Sequence, residues 1–182
     1  MLFRSILSIA INNHVIHRRT VRALDTDELT GFLTRRSYER IMPEIWRDFS
    51  REYDEIAVVM IDIDHFKRIN DTFGHPTGDR VISEIASICH GSLRREDIVG
   101  RYGGEEFIAV LPNLDSENAL NAMERLRSSV EETRIDLVDA ALTVSIGVTV
   151  SDGSEAFDHA VDRADRALYA AKRSGRNKVV VE

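Results

Sequence analysis

"RYGGEEF", residues 101–107, reads as the tip of a hairpin, because "REDIV" before it and "FIAVL" after it are both strand-like. A Gly-Gly pair between two such runs suits a tight turn with positive φ. The acids that follow fit less well. Neighbouring carboxylates repel and Glu has low β-propensity, so Glu105 and Glu106 are a poor way to start a strand unless they serve some chemistry.

The stretch "EIAVVMIDID", residues 55–64, is a buried strand that turns acidic at its end. The two-residue period puts Asp62 and Asp64 on one face and Ile63 on the other. If this strand neighbours the hairpin, Asp62 and Glu105 or Glu106 could converge on a divalent cation. Carboxylates with spare water positions and a phosphate ligand suit Mg²⁺. Solvated strand ends are the alternative reading of each pair alone.

Next come a short helix, "HFKRINDTFGH", closed by Gly74, and a second, "PTGDRVISEIASICHGSL". Asn70 offers an amide and Asp79 a pair of acceptors. Guanine displays adjacent N1–H and N2–H₂ donors that a carboxylate matches, and adenine lacks that pair. Helix-end roles would account for Asn70 and Asp79 equally well. Near the end, "AAKRSGRNK" sets Lys172 and Arg176 four residues apart at a helix C-terminus. Cations there favour the helix dipole, and they would also clamp phosphates if that end faced the acids.

Elsewhere, "DTDELTGFLTRRSYERIMPEIWRDFSR" is a turn and a helix, with Asp27 or Thr30 as cap and Tyr38, Ile41, Ile45 and Phe49 as its apolar side. "SENALNAMERLRSSVEE" is a helix, "ALTVSIGVTV" an alternating strand, "EAFDHAVDRADRALYAAKRSG" a helix and "NKVVVE" a final strand. A hairpin mixed with crossover helices predicts an α+β fold, a mostly antiparallel central sheet covered by helices.

Composition narrows the partners. A net charge of −7 argues against a broad electrostatic footprint for nucleic acid. The single cysteine, Cys89, excludes an internal disulfide and fits a reducing, cytoplasmic compartment. No apolar run approaches the ~20 residues of a membrane span. Leu2, Ile6, Ile9, Asn13, Ile16, Thr20 and Ala23 form an imperfect heptad stripe, so residues 1–23 read as a helical connector or coiled-coil stub. An upstream sensor or membrane domain would leave no mark on this sequence.

Taken together, "DELTGFLTRR", "IDIDHFKRINDTFGHPTGD", "RYGGEEF", "SIGVT" and "ALYAAKRSGRNKV" occur in the order found in the GGDEF family of diguanylate cyclases, which the chain resembles over about residues 24–182, in a GGEEF form. That resemblance implies a palm-like nucleotidyl cyclase fold and condensation of two GTP molecules to cyclic di-GMP with release of two pyrophosphates. It implies two Mg²⁺ (or Mn²⁺) ions per active site, with Asp62, the Ile63 carbonyl and Glu105 as ligands. Glu106 stands close by as a candidate for activating the attacking hydroxyl, so Asp62, Glu105 and Glu106 form the catalytic set. Asn70 and Asp79 would read guanine. Lys172, Arg176 and the backbone amides of Phe66 and Lys67 would hold phosphates, as helix N-termini do. Gly103 and Gly104 would let substrate approach the turn.

Each half-site would hold one nucleotide, so the resemblance also implies a homodimer. Arg94 and Asp97 match the family's RxxD inhibitory site, with Arg125 as a second arginine for the product. The rival reading is a catalytically silent cyclic di-GMP receptor. One departure from the family is Thr34-Arg35-Arg36 where Asn-Arg-Arg is usual, for which a local effect on the turn is expected.

Overall fold

The computed structural model describes residues 25–135 and 141–182, and the connector assigned to residues 1–23 lies outside them. A turn opens the described chain and leads into β1 (Leu33–Thr34). In that turn Asp27 accepts from the backbone N–H and the hydroxyl of Thr30. Neither residue caps the first helix. The cap of α1 (Arg35–Glu52) is Thr34, whose hydroxyl accepts from the Ser37 N–H at 3.3 Å. Threonine caps helices well, so this departure from asparagine keeps the local geometry.

Beyond α1 come β2 (Ile56–Ile63), α2 (Phe66–Phe73), α3 (His75–Ser92), β3 (Ile98–Arg101), β4 (Glu106–Pro112) and α4 (Ser116–Glu132). The chain ends with β5 (Val144–Ser151), α5 (Phe157–Arg173) and β6 (Val179–Val181). Six strands form one sheet in the order β1-β3-β4-β2-β5-β6. The three inner ladders are antiparallel, and the two short edge pairings, β1 with β3 and β5 with β6, are parallel. The expected α+β architecture is therefore what the chain adopts.

Every residue of β2 is buried, because helices cover both faces of its sheet. Ala57, Val59, Ile61 and Ile63 pack with Ile69, Ile85 and Met123 of α2, α3 and α4. Ile56, Val58 and Met60 pack with Tyr38, Met42 and Trp46 of α1 and Ala164 and Leu168 of α5. Each large side chain so removed from water contributes about 1.5–3 kcal/mol. Cys89 lies fully buried in the first cluster, and burial pushes its thiol up to about 12, so it is inert packing.

The apolar face of α1 differs from expectation. Tyr38, Met42, Trp46 and Phe49 are its buried stripe, while Ile41 and Ile45 are only half-buried. Trp46 sets the rotation: its ring lies 5.4 Å from that of Phe157, and its Nε1 donates to the Glu155 carbonyl at 2.9 Å. Ile41 and Ile45 instead line a cavity of about 590 Å³ beside Leu93, Arg94 and Asp97.

Candidate active site

The register of the central ladder decides which carboxylates meet. Asp62 pairs with Glu106 across β2 and β4, so the two side chains share the face that α5 covers. Glu105 precedes the strand and is tied to the same edge through its backbone, its carbonyl accepting from the Ile63 N–H at 3.3 Å. Asp62 is 8% exposed and its carboxylate receives the Lys172 ammonium at 2.7 Å. Burial raises the Asp62 carboxyl above its usual range; Lys172 opposes that rise, and Glu106 and Asp64 add repulsion.

The turn differs from the sequence expectation in one respect. Neither Gly103 nor Gly104 has a positive φ. The N–H groups of Tyr102 and Gly103 both donate to the Glu106 carbonyl, at 2.8 and 3.1 Å, which closes a wider loop that does not need the left-handed region. The glycines supply room instead. A Cβ at 103 would sit 2.6 Å from Glu106 Oε2, and one at 104 would meet nothing within 4 Å, so the outer side of the turn is open to a ligand. Arg101 braces the loop from behind, donating to both carboxylate oxygens of Asp27 at 3.1 and 2.9 Å and to the Gly104 carbonyl at 2.8 Å. Burial pushes the Asp27 carboxyl up, but the bonds from Thr30 and Arg101 outweigh it and hold the carboxyl below its ordinary range. Sequence reasoning missed this brace because the partners are 74 residues apart.

Helix α2 starts from His65, at φ 58°, and the first-turn amides of Phe66 and Lys67 have no intrahelical partner. Four residues into α2 stands Asn70, whose side-chain oxygen is buried without a hydrogen-bond partner. Gly78 of α3 makes room for it, since a Cβ there would overlap Asn70 Oδ1. Exposed Asp79 follows directly, so the two proposed base-reading residues lie together. Gly78→Ala will rotate Asn70 away. If Asn70 reads guanine, losing that hydrogen bond, about 1–1.5 kcal/mol, is expected to raise the KM for GTP about tenfold while the melting temperature barely moves. Steady-state kinetics beside a thermal melt checks both halves of that expectation.

Lys172 reaches Asp62 from the C-terminal end of α5, and Arg176 stands in the turn after that helix. Arg176 is exposed, and the backbone of the next residue, Asn177, donates to Asp64 Oδ2 at 3.0 Å. Asp64 also accepts from Thr143 Oγ1 at 2.8 Å and Ser145 Oγ at 2.7 Å. This second strand-end acid is thus a hydrogen-bonding anchor, whereas Asp62 faces a cation.

Arg94 and Asp97 form a turn between α3 and β3: the Arg94 N–H donates to Asp97 Oδ2 at 2.6 Å and the Asp97 N–H to the Arg94 carbonyl at 3.2 Å. The other carboxylate oxygen of Asp97 is buried without a partner. Burial pushes this carboxyl up to about 6, against the bond and charge of Arg94 and with help from Glu96. Arg125 is exposed on α4, and no hydrogen bond or ion pair joins its side chain to that turn among the described residues.

A raised carboxyl favours the protonated folded state, so its stabilising share is present at low pH and is lost as pH rises through 6. At neutral pH the charge costs about 1–2 kcal/mol once partial exposure is discounted. Asp97→Asn will therefore raise the melting temperature by about 3–6 °C at pH 7.5 and by less at pH 5, as calorimetry at the two values would establish.

Among the described residues no three His, Cys, Asp or Glu side chains are gathered closely enough to hold a metal by themselves. The donors present still suit Mg²⁺. Asp62 already carries a cation in the form of the Lys172 ammonium, Glu106 faces it, and backbone carbonyls, water and substrate phosphate can complete an oxygen shell. No helix among the described residues is long and apolar enough to cross a membrane.

Comparison with known proteins agrees with this geometry. The sequence profile described as "Diguanylate cyclase, GGDEF domain" matches residues 24–178. Diguanylate cyclase DosC of Escherichia coli is 40% identical over 156 residues, covering 84% of this chain and 34% of that protein. Diguanylate cyclase A of Treponema denticola is 37% identical over 183 residues, covering 97% of this chain and 48% of that protein. The chain thus spans about a third to a half of such relatives. The GGDEF domain of DgcB from Caulobacter crescentus, solved in complex with c-di-GMP, superposes with a TM-score of 0.82 at 33% identity, covering 88% of this chain and 94% of that one. The active GGEEF domain of a diguanylate cyclase from Vibrio cholerae gives 0.76 at 33% identity, over 81% and 96% of the two chains. The profile match takes in β1 to β5 and their carboxylate edge, and the chain belongs to the GGDEF-domain diguanylate cyclase family.

Proposed function

We propose that this chain condenses two GTP molecules to cyclic di-GMP, with release of two pyrophosphates, at a site completed by a second copy of itself. The observation that carries the reading is the meeting of Asp62 and Glu106 across the central ladder, with Lys172 on Asp62 and the start of α2 immediately beyond the strand. Asn70 and Asp79 bind the guanine edge. The Phe66 and Lys67 amides and the Arg176 guanidinium take the phosphates. A bound triphosphate draws the Lys172 ammonium from Asp62 towards its own charge. Asp62, the Ile63 carbonyl and Glu105 are then the residues to hold Mg²⁺ or Mn²⁺, which when bound polarises the α-phosphate and neutralises charge on the leaving pyrophosphate.

Glu106 is placed to accept the proton of the 3′-hydroxyl presented by the facing copy. That oxygen forms a bond to the α-phosphorus as the bond to pyrophosphate breaks, in each half-site in turn. One site holds one nucleotide, so the copies must face each other and activity must depend on protein concentration.

Product inhibition belongs to the same reading. The Asp97 oxygen left without a partner is suited to guanine N–H donors, Arg94 to guanine O6 and N7, and the adjoining apolar cavity to a base. Arg125 is assigned to the second base.

The test is pyrophosphate release from GTP with Mg²⁺ over a series of protein concentrations, beside Glu106→Ala. Specific activity that climbs with concentration, disappears in the variant and declines as product accumulates supports the cyclase. Tight cyclic di-GMP binding without release at any concentration would establish a silent receptor instead.

A further inference from the structure

The turn that carries Arg176 is closed by that residue's own N–H, which donates to the Ala171 carbonyl at 3.1 Å, and is braced further from outside. Gly175, Arg176 and Asn177 have φ values of 113°, 62° and 46° in succession. Glycine adopts such values freely and asparagine tolerates them. Arginine resists them, because its Cβ crowds the neighbouring carbonyl. Beyond that local bond, contacts from two sides brace the conformation, and both converge on Asn177. Its side-chain oxygen accepts from Arg127 at 2.7 Å and its amide donates to Glu131 at 2.8 Å, both on α4. Its backbone N–H donates to Asp64 at 3.0 Å.

Asp64 is 5% exposed and is itself fixed by the Thr143 and Ser145 hydroxyls. It lies two residues beyond Asp62 and immediately before His65, where α2 begins. One carboxylate thereby ties the backbone beside Arg176 to the junction of the acidic strand with the helix whose amides face phosphate.

We propose that Asp64 is a positioning residue for the triphosphate: by holding Asn177 it aims Arg176 across the start of α2. This inference rests on the reading of the site as a GTP site. The role is hydrogen bonding and needs no charge. One Asp64 oxygen accepts from both Asn177 and Thr143, and the other from Ser145. An asparagine can keep its oxygen on the first two and donate its amide to Ser145 Oγ, because a hydroxyl accepts as readily as it donates. Asp64→Asn therefore keeps the turn, and Asp64→Ala releases it.

The experiment is calorimetric titration of the full chain with GTP and, separately, with guanosine, in excess chelator so that metal ligation does not enter. Asp64→Ala is expected to weaken GTP at least about tenfold and leave guanosine unchanged, while Asp64→Asn stays within about twofold of the unaltered chain. Adding Arg176→Ala to Asp64→Ala should cost little more, because the arginine is already misaimed. Asn177→Gly suits the left-handed backbone and loses only the α4 tethers, so it should weaken GTP about threefold and spare guanosine. Asp64→Ser, whose shorter hydroxyl does not reach the Asn177 N–H, decides the matter if Asp64→Ala does not fold.

Equal weakening of GTP by Asp64→Asn and Asp64→Ala would overturn the proposal, because asparagine keeps the bond to Asn177. So would losses from Asp64→Ala and Arg176→Ala that multiply, or a matching loss of guanosine binding. An unaltered chain that binds neither guanosine nor GTP, even when the titration is repeated with Mg²⁺ in place of chelator, would overturn the proposed function along with it.

Discussion

Asp62→Asn is expected to lower pyrophosphate release from GTP about 10³-fold while the domain stays folded. The two halves of this expectation have separate causes. Activity falls because the amide no longer offers a charged oxygen to a divalent cation at the one strand position that faces Glu106. The fold survives because the native carboxyl is a liability: burial raises it, and Glu106 and Asp64 repel it. Lys172 loses its partner, but its side chain is 31% exposed and finds water. Far-ultraviolet circular dichroism and a melt within a few degrees of the unaltered chain, beside a pyrophosphate assay, check the pair. Activity within tenfold of the unaltered chain would remove Asp62 from the catalytic set.

The largest expected effect on stability comes from a residue that touches no substrate. Gly147→Ala should destabilise the domain by about 3–5 kcal/mol, lowering its melting temperature by about 10 °C or more. A Cβ at Gly147 would overlap the Leu168 N–H and the Ala164 carbonyl, and would lie 2.7 Å from Leu168 Cα. These are backbone atoms of α5, and no rotamer change relieves the clash. The helix must move bodily, although Ala160, Ala164, Leu168 and Ala171 hold it buried against the sheet. Because α5 ends in Lys172, the same shift should also lengthen the 2.7 Å pair with Asp62 and weaken GTP binding. A denaturant melt with a midpoint unchanged from the unaltered chain would mean that α5 slides at little cost.

The fold was largely legible in the residues themselves, and so were the acids that make up the candidate site. Alternation and apolar runs marked the strands, Gly74 and Gly175 marked helix ends, and the acidic ends of "MIDID" and "GGEEF" broke strand rules in a way that called for a ligand. The conspicuous residues of a motif are those whose local environment does not explain them, and Asp62, Glu105 and Glu106 are of that kind. Misreadings arose where local pattern left two answers. On α1, Ile41 and Ile45 fit an apolar stripe as well as Met42 and Trp46 do, and only the distant Phe157 and Glu155 turn the helix towards Trp46. At Gly103 and Gly104 the dipeptide pattern suggested left-handed backbone, whereas the wider loop asks only for absent side chains.

By itself, then, the sequence determined the order of helices and strands, the pair of acidic strand ends and the cations near the C-terminus, because each depends on residues within a few positions of one another. Tertiary structure alone decided which acid does what. Asp62 stands in β2 and Asp64 just past its end, with the same chemistry, yet one faces Lys172 and Glu106 while the other is sealed by Thr143, Ser145 and Asn177. Their partners lie about 45 to 110 residues away along the chain, beyond the reach of any local period. What separates the two carboxylates is the company that folding brings to each: an ammonium beside one, and hydroxyl and amide donors around the other.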